Sequence, residues 1–116
     1  MTGAEWAARL AAAIATRVEA IALPGEVRLH SIAATSPEEV EVIYSVPGDT
    51  GLRGMRISAE VVRSAPERIR VSSIDELAFD IVTTGILEPR VPNEFAPADR
   101  SGVRWLPISE WLKEIT

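Results

Sequence analysis

The 116-residue sequence predicts an α+β domain. The expected architecture is a small antiparallel sheet of three to four strands with two long helices on one face. The order is α-β-β-β-α, followed by a C-terminal strand and helical turn. Three observations predict it. Apolar residues recur at helical spacing from Gly3 to Ala22 and again after Ser73. Between Glu26 and Ser58 they alternate at period two instead. The two breaks in that alternation, Ala34 to Pro37 and Pro47 to Gly51, carry turn residues.

In the first helix Trp6, Leu10, Ile14, Val18 and Ile21 form one apolar stripe, with Glu5, Arg9, Thr16 and Glu19 opposite. Thr2 and Glu5 have capping-box spacing. Alanines on the flanks allow a close approach to a sheet. Leu23-Pro24-Gly25 stops the helix.

Glu26 to Ala33 reads as strand one, with Val27, Leu29 and Ser31 on one face and Arg28, His30 and Ile32 on the other. Glu38 to Val46 is strand two, its Val40, Val42, Tyr44 and Val46 alternating with Glu39, Glu41 and Ile43. Pairing Ala33 with Glu38 sets Leu29 against Val42 and His30 against Glu41. Leu52 to Ser58 is strand three. Matching Met55 to Val42 places Arg56 beside Glu41 and Gly54 opposite Ile43, where a side chain is missing.

Residues 59–71 admit two readings. In the preferred one Ser58 is positioned to cap a short helix that ends before Pro66. The same alternating residues also allow strand three to run on. Arg68 to Val71 is expected to be extended. Ser73 and Glu76 form a second capping box at the start of the second long helix, whose core face is Ile74, Leu77, Ala78 and Ile81. Gly85 is expected at its C′ position. Residues 88–102 form a long irregular loop, the kind that carries function or mobility. Val103 to Leu106 is expected to return as a fourth strand. Pro107 stops it, and Ser109 caps a last helical turn bearing Trp111, Leu112 and Ile115.

Composition narrows the function. The length fits one domain over residues 1–116. With 47% apolar residues, 25% charged and a mean hydropathy of +0.11, the chain buries a core. It has no cysteine, hence no disulfide, thiolate metal site or thiol nucleophile. The absence of a signal peptide and of any apolar run near 20 residues points to a cytoplasmic protein without a membrane span. Arginine supplies eleven of the twelve basic residues and alanine is abundant, a bias of GC-rich bacterial coding. A net charge of -5 argues against nucleic acid, whose binding domains are usually basic. The charge is uneven: Arg53, Arg56, Arg63, Arg68 and Arg70 cluster together, and acidic residues dominate from Asp75 to Asp99.

No catalytic, cofactor or metal motif stands out. His30 is the only histidine, and no serine lies in a nucleophile-elbow pattern. Glu39 and Glu41 share a strand face rather than a cleft. His30 and Glu41 lack a third metal ligand at recognisable spacing. The polar constellation that remains is His30, Glu41 and Arg56 across three strands, with Arg28 beside it and Trp105 and Trp111 as aromatic anchors. With two helices on one face, the other face is left open. The expected function is therefore protein–protein interaction with a basic partner, as in a toxin-neutralising immunity protein. A ligand-binding or small enzymatic domain with a cleft near the 88–102 loop is the alternative. A phage or assembly subunit is a third reading. The sequence leaves the oligomeric state open.

Overall fold

The computed structural model describes residues 3–21, 23, 27–49, 51–88 and 94–115, and its elements follow the predicted order. Helix α1 spans Gly3–Ile21. Its Ala7, Leu10 and Ile14 are fully buried, with Trp6, Val18 and Ile21 at the rim. Thr2, Pro24, Gly25 and Glu26, on which the expected cap, stop and strand start fall, lie outside the described residues.

Strands β1 (Arg28–Ser36), β2 (Glu39–Ser45), β3 (Leu52–Ser58) and β4 (Val103–Trp105) form one sheet in the order β1-β2-β3-β4. The β2–β3 register is the predicted one: Glu41 opposes Arg56, Val42 opposes Met55 and Ile43 opposes Gly54.

The β1–β2 register differs from the expectation. The turn is tighter than Ala34 to Pro37, because Ser36 already pairs with Glu39. Leu29 faces Tyr44 rather than Val42, and Ala33 rather than His30 faces Glu41. An irregularity between Leu29 and Ser31 adds a residue at His30 and inverts the alternation beyond it. As a result Ile32, expected on the polar face, opposes Val42 and packs against the core.

The fourth strand is also corrected in one respect. It pairs with β3 in parallel, so the sheet is mixed. Residues 59–102 supply the long crossover that a parallel pairing needs. The described part of the 88–102 loop runs along the far edge of β4: the Ala96 N–H donates to Trp105 O and the Asp99 N–H to Val103 O, both at 3.0 Å.

Ser58 caps α2 (Ala59–Arg63) by accepting from the Val61 N–H at 3.1 Å. Glu67–Arg70 forms a helical turn, α3, not the expected extended segment. Helix α4 (Ile74–Asp80) starts on the predicted Ser73–Glu76 capping box. It does not stop at Gly85. It continues as a π-helical turn, Ile81–Ile86, and the Leu87 N–H donates to Val82 O at 3.0 Å. Gly85 is selected by packing here: a Cβ would come within 2.7 Å of Met55 Cε and 3.5 Å of Trp111 Cζ2. Helix α5 (Ile108–Glu114) begins after Pro107 without a side-chain cap, so Ser109 lies inside it.

The core lies between the helices and the inner face of the sheet. Val40, Val42, Met55 and Ile57 are fully buried, and Tyr44 and Trp111 are 1% exposed. Tyr44 Oη donates to Gly85 O at 3.4 Å and Trp111 Nε1 to Thr84 O at 3.3 Å, so both aromatics satisfy their polar ends on the π turn. No helix among the described residues is long and apolar enough to cross a membrane.

Candidate interaction face

The outer face of the sheet carries the polar half of each alternating strand. Gly54 opposes Ile43 on one side and Trp105 on the other. A Cβ at Gly54 would sit 2.6 Å from Trp105 Cζ3 and 2.8 Å from Val103 Cγ1. The indole therefore lies against the bare glycine backbone. Arg56, two residues along β3 on the same face, places its guanidinium carbon 3.7 Å from the centre of the Trp105 ring. Its Nε donates to Glu41 Oε2 at 3.3 Å. Arg56 is 48% exposed and Glu41 21%. Each contact contributes modestly at such exposure: about 0.2–1 kcal/mol for the ion pair and about 0.5–1 kcal/mol for the stacked cation.

The far end of the indole is fixed as well. Trp105 Nε1 donates to Asp99 Oδ2 at 2.7 Å. The other carboxylate oxygen of Asp99 accepts from the Ser101 hydroxyl at 2.5 Å and from the Ser101 N–H at 2.8 Å. The turn closes at Gly102, whose φ of 82° suits glycine. The Ser101 hydroxyl and the Trp105 indole, helped by backbone N–H groups, hold the Asp99 carboxyl far below the usual carboxylate range. The face thus presents a fixed line of Glu41, Arg56, Trp105 and Asp99.

The structure brings together three of the six residues singled out from the sequence: Glu41, Arg56 and Trp105. His30 is displaced by the bulge and contacts Ser45 Oγ at 3.0 Å through Nε2, instead of Glu41. Arg28 is exposed at the start of β1, opposite Ser45. Trp111 is a core residue, remote from this face in its contacts. Asp99 was legible only as a loop charge. The Asp-x-Ser-Gly turn chemistry around it is a usable signal, but its reach to Trp105 is set by the tertiary fold.

A second charged cluster, also missed, closes the other end of the sheet. Asp49, in the β2–β3 turn, accepts from Arg53 Nε at 2.9 Å, from the Gly51 N–H at 3.1 Å and from Arg104 Nη2. Arg53 is 5% exposed and stacks on Phe95, 4.7 Å from the ring centre. Burial works to raise the Asp49 carboxyl, but the Gly51 N–H and the two arginines outweigh it and hold it below its ordinary value of 3.8. This cluster ties the β2–β3 turn to β4.

A cleft of about 240 Å³, lined by Val27, Val46, Pro47, Arg53, Leu87 and Glu88, reaches the start of the 88–102 loop. It is smaller than the roughly 300–1,000 Å³ usual for ligand pockets. No group of three His, Cys, Asp or Glu side chains among the described residues is placed to hold a metal ion. No protein-family model, curated protein or solved structure matches the chain.

Proposed function

We propose that the chain is a protein-binding domain whose outer sheet face docks a basic protein partner, as a toxin-neutralising immunity protein does. One observation carries this reading: Arg56, half exposed, is stacked on a Trp105 ring that is itself pinned between the Gly54 backbone and Asp99. Arg and Trp are the residue types that most often anchor interfaces. Side chains already held in place lose little conformational freedom on binding. The charge balance favours a basic partner. On the strands of this face Glu39 and Glu41 balance Arg28 and Arg56, so the preference for a basic partner rests on the chain's net charge of -5.

The experiment compares proteins retained from the host lysate by the immobilised wild type, Arg56→Glu, Trp105→Ala and Arg63→Glu. Arg63 is exposed on the helix side and gives the same change in charge as Arg56. A basic protein held by the wild type and Arg63→Glu, and lost from both face variants, is expected. Equal retention by all four overturns the assignment to this face.

A further inference from the structure

We infer that the free edge of β1 pairs with β1 of a second copy, antiparallel, to join two sheets across a twofold axis. Four observations converge on that edge. First, β1 is the terminal strand of the sheet and, at nine residues, its longest. Among the described residues its only backbone partner is β2. An unpaired strand edge is a template for another strand.

Second, the usual protections are absent from its centre. The irregularities at Leu29/Ser31 and Ala34/Ser36 bracket a regular run, Ser31 to Ala34, that holds no charge and no proline. Third, the core thins toward this edge. Val40 and Val42 are fully buried, yet their β1 neighbours fare differently: Ile32 is half-buried and Ala34 exposed. Above the edge, the flank of α1 that points away from α4 carries Ala8, Ala11, Ala15 and half-buried Val18, all uncharged. Edge pairing alone covers a narrow strip, whereas a stable interface buries about 800 Å² per partner. Two alanine flanks meeting over the joined sheet add area at close backbone approach.

Fourth, charge selects a second copy as the occupant. With the twofold axis at Ala33, which then faces its own copy, antiparallel pairing sets exposed Arg28 of each chain against exposed Glu38 of the other. The arrangement gives two opposite-charge contacts by symmetry and no like-charge contact in between.

Sedimentation equilibrium and light scattering test the inference. The wild type is expected at twice the 12.6 kDa chain mass. Ala33→Glu, which places two carboxylates at the axis, and Ala15→Glu, on the helix flank, are both expected at the single-chain mass with wild-type circular dichroism. Arg28→Glu is expected to weaken the dimer at least tenfold at low salt. Arg56→Glu is expected to remain dimeric, which separates this edge from the docking face. A wild type of single-chain mass at every accessible concentration overturns the inference. So does retention of the dimer by whichever of Ala33→Glu and Ala15→Glu folds.

Discussion

Replacing Gly54 by alanine separates two accounts of the outer face by the sign of the stability change. A glycine in a strand ordinarily costs about 0.5–1 kcal/mol relative to alanine, so at an open position the substitution stabilises. At Gly54 the new methyl carbon would stand 2.6 and 2.7 Å from two carbons of the Trp105 ring and 2.8 Å from Val103 Cγ1. Ordinary carbon contacts lie at about 3.5–4.0 Å. The indole must therefore lift by roughly an ångström off the strand. Overpacking of this kind costs about 1–3 kcal/mol. Lifting the ring also weakens the Arg56 stack, a contribution of about 0.5–1 kcal/mol, and strains the hydrogen bond to Asp99. Set against the removed glycine, the net expectation is a loss of about 1–2 kcal/mol. Near this chain length that lowers Tm by roughly 4 °C per kcal/mol. Urea denaturation followed by circular dichroism measures it. The same substitution in a Trp105→Ala background removes the clash with the indole and leaves only the Val103 Cγ1 contact, so it is expected to cost less than in the wild type. If Gly54→Ala stabilises the wild-type chain, or has equal effects in both backgrounds, the indole does not rest on this glycine.

Other expectations rest on separate contacts. Ser73→Ala removes a capping-box hydrogen bond to Glu76 N–H and is expected to cost about 1 kcal/mol, whereas Ser109→Ala, which removes no cap, is expected to be near neutral by the same denaturation assay. Trp111→Ala empties a fully packed site and is expected to cost about 3–5 kcal/mol, enough to leave the chain largely unfolded at moderate temperature. Asp49 and Asp99 both have carboxyl groups held below their ordinary value in the folded chain. Their contribution to stability is present above the unfolded value near 3.8 and is lost as pH falls through the lower folded values. Stability measured against pH is thus expected to decline on the acid side, and Asp49→Asn is expected to flatten that decline while lowering stability at neutral pH.

Local chemistry was legible in the sequence, and tertiary choices were not. The β2–β3 register followed from matching two alternating runs across one turn, because a one-residue slip exposes the apolar set. The Ser73–Glu76 pair announced its helix because a cap is decided within four residues. After Ser58, by contrast, the alternating residues left helix and continued strand both open until the cap on the Val61 N–H settled it. Gly54 was visible as a missing side chain, but the indole that fills the space comes from β4, some fifty positions away. Strand β1 defeated the alternation rule because a bulge at His30 turns both Leu29 and Ile32 inward. Gly85 resembles a helix terminator in sequence. The fold uses it for close approach to Met55 and Trp111 instead, and the helix passes through it as a π turn. The face kept Glu41, Arg56 and Trp105 from the sequence reading, while His30 went to Ser45 and Trp111 to the core.

The central claim is that Arg56 on its Trp105 platform is the docking point for a basic partner. Its most direct test is the dissociation constant of the captured partner for wild type and Arg56→Glu, measured by calorimetry at low and high salt. Arg56→Glu removes the guanidinium stacked on Trp105, and the expected loss comes from that missing anchor, against the added attraction of the new carboxylate for a basic partner. A loss of at least tenfold is expected, about 1.4 kcal/mol in binding free energy, with the folded state retained. Wild-type affinity is expected to fall as salt rises, since the partner is of opposite charge. Equal affinities for the two chains would contradict the claim, whatever the salt dependence.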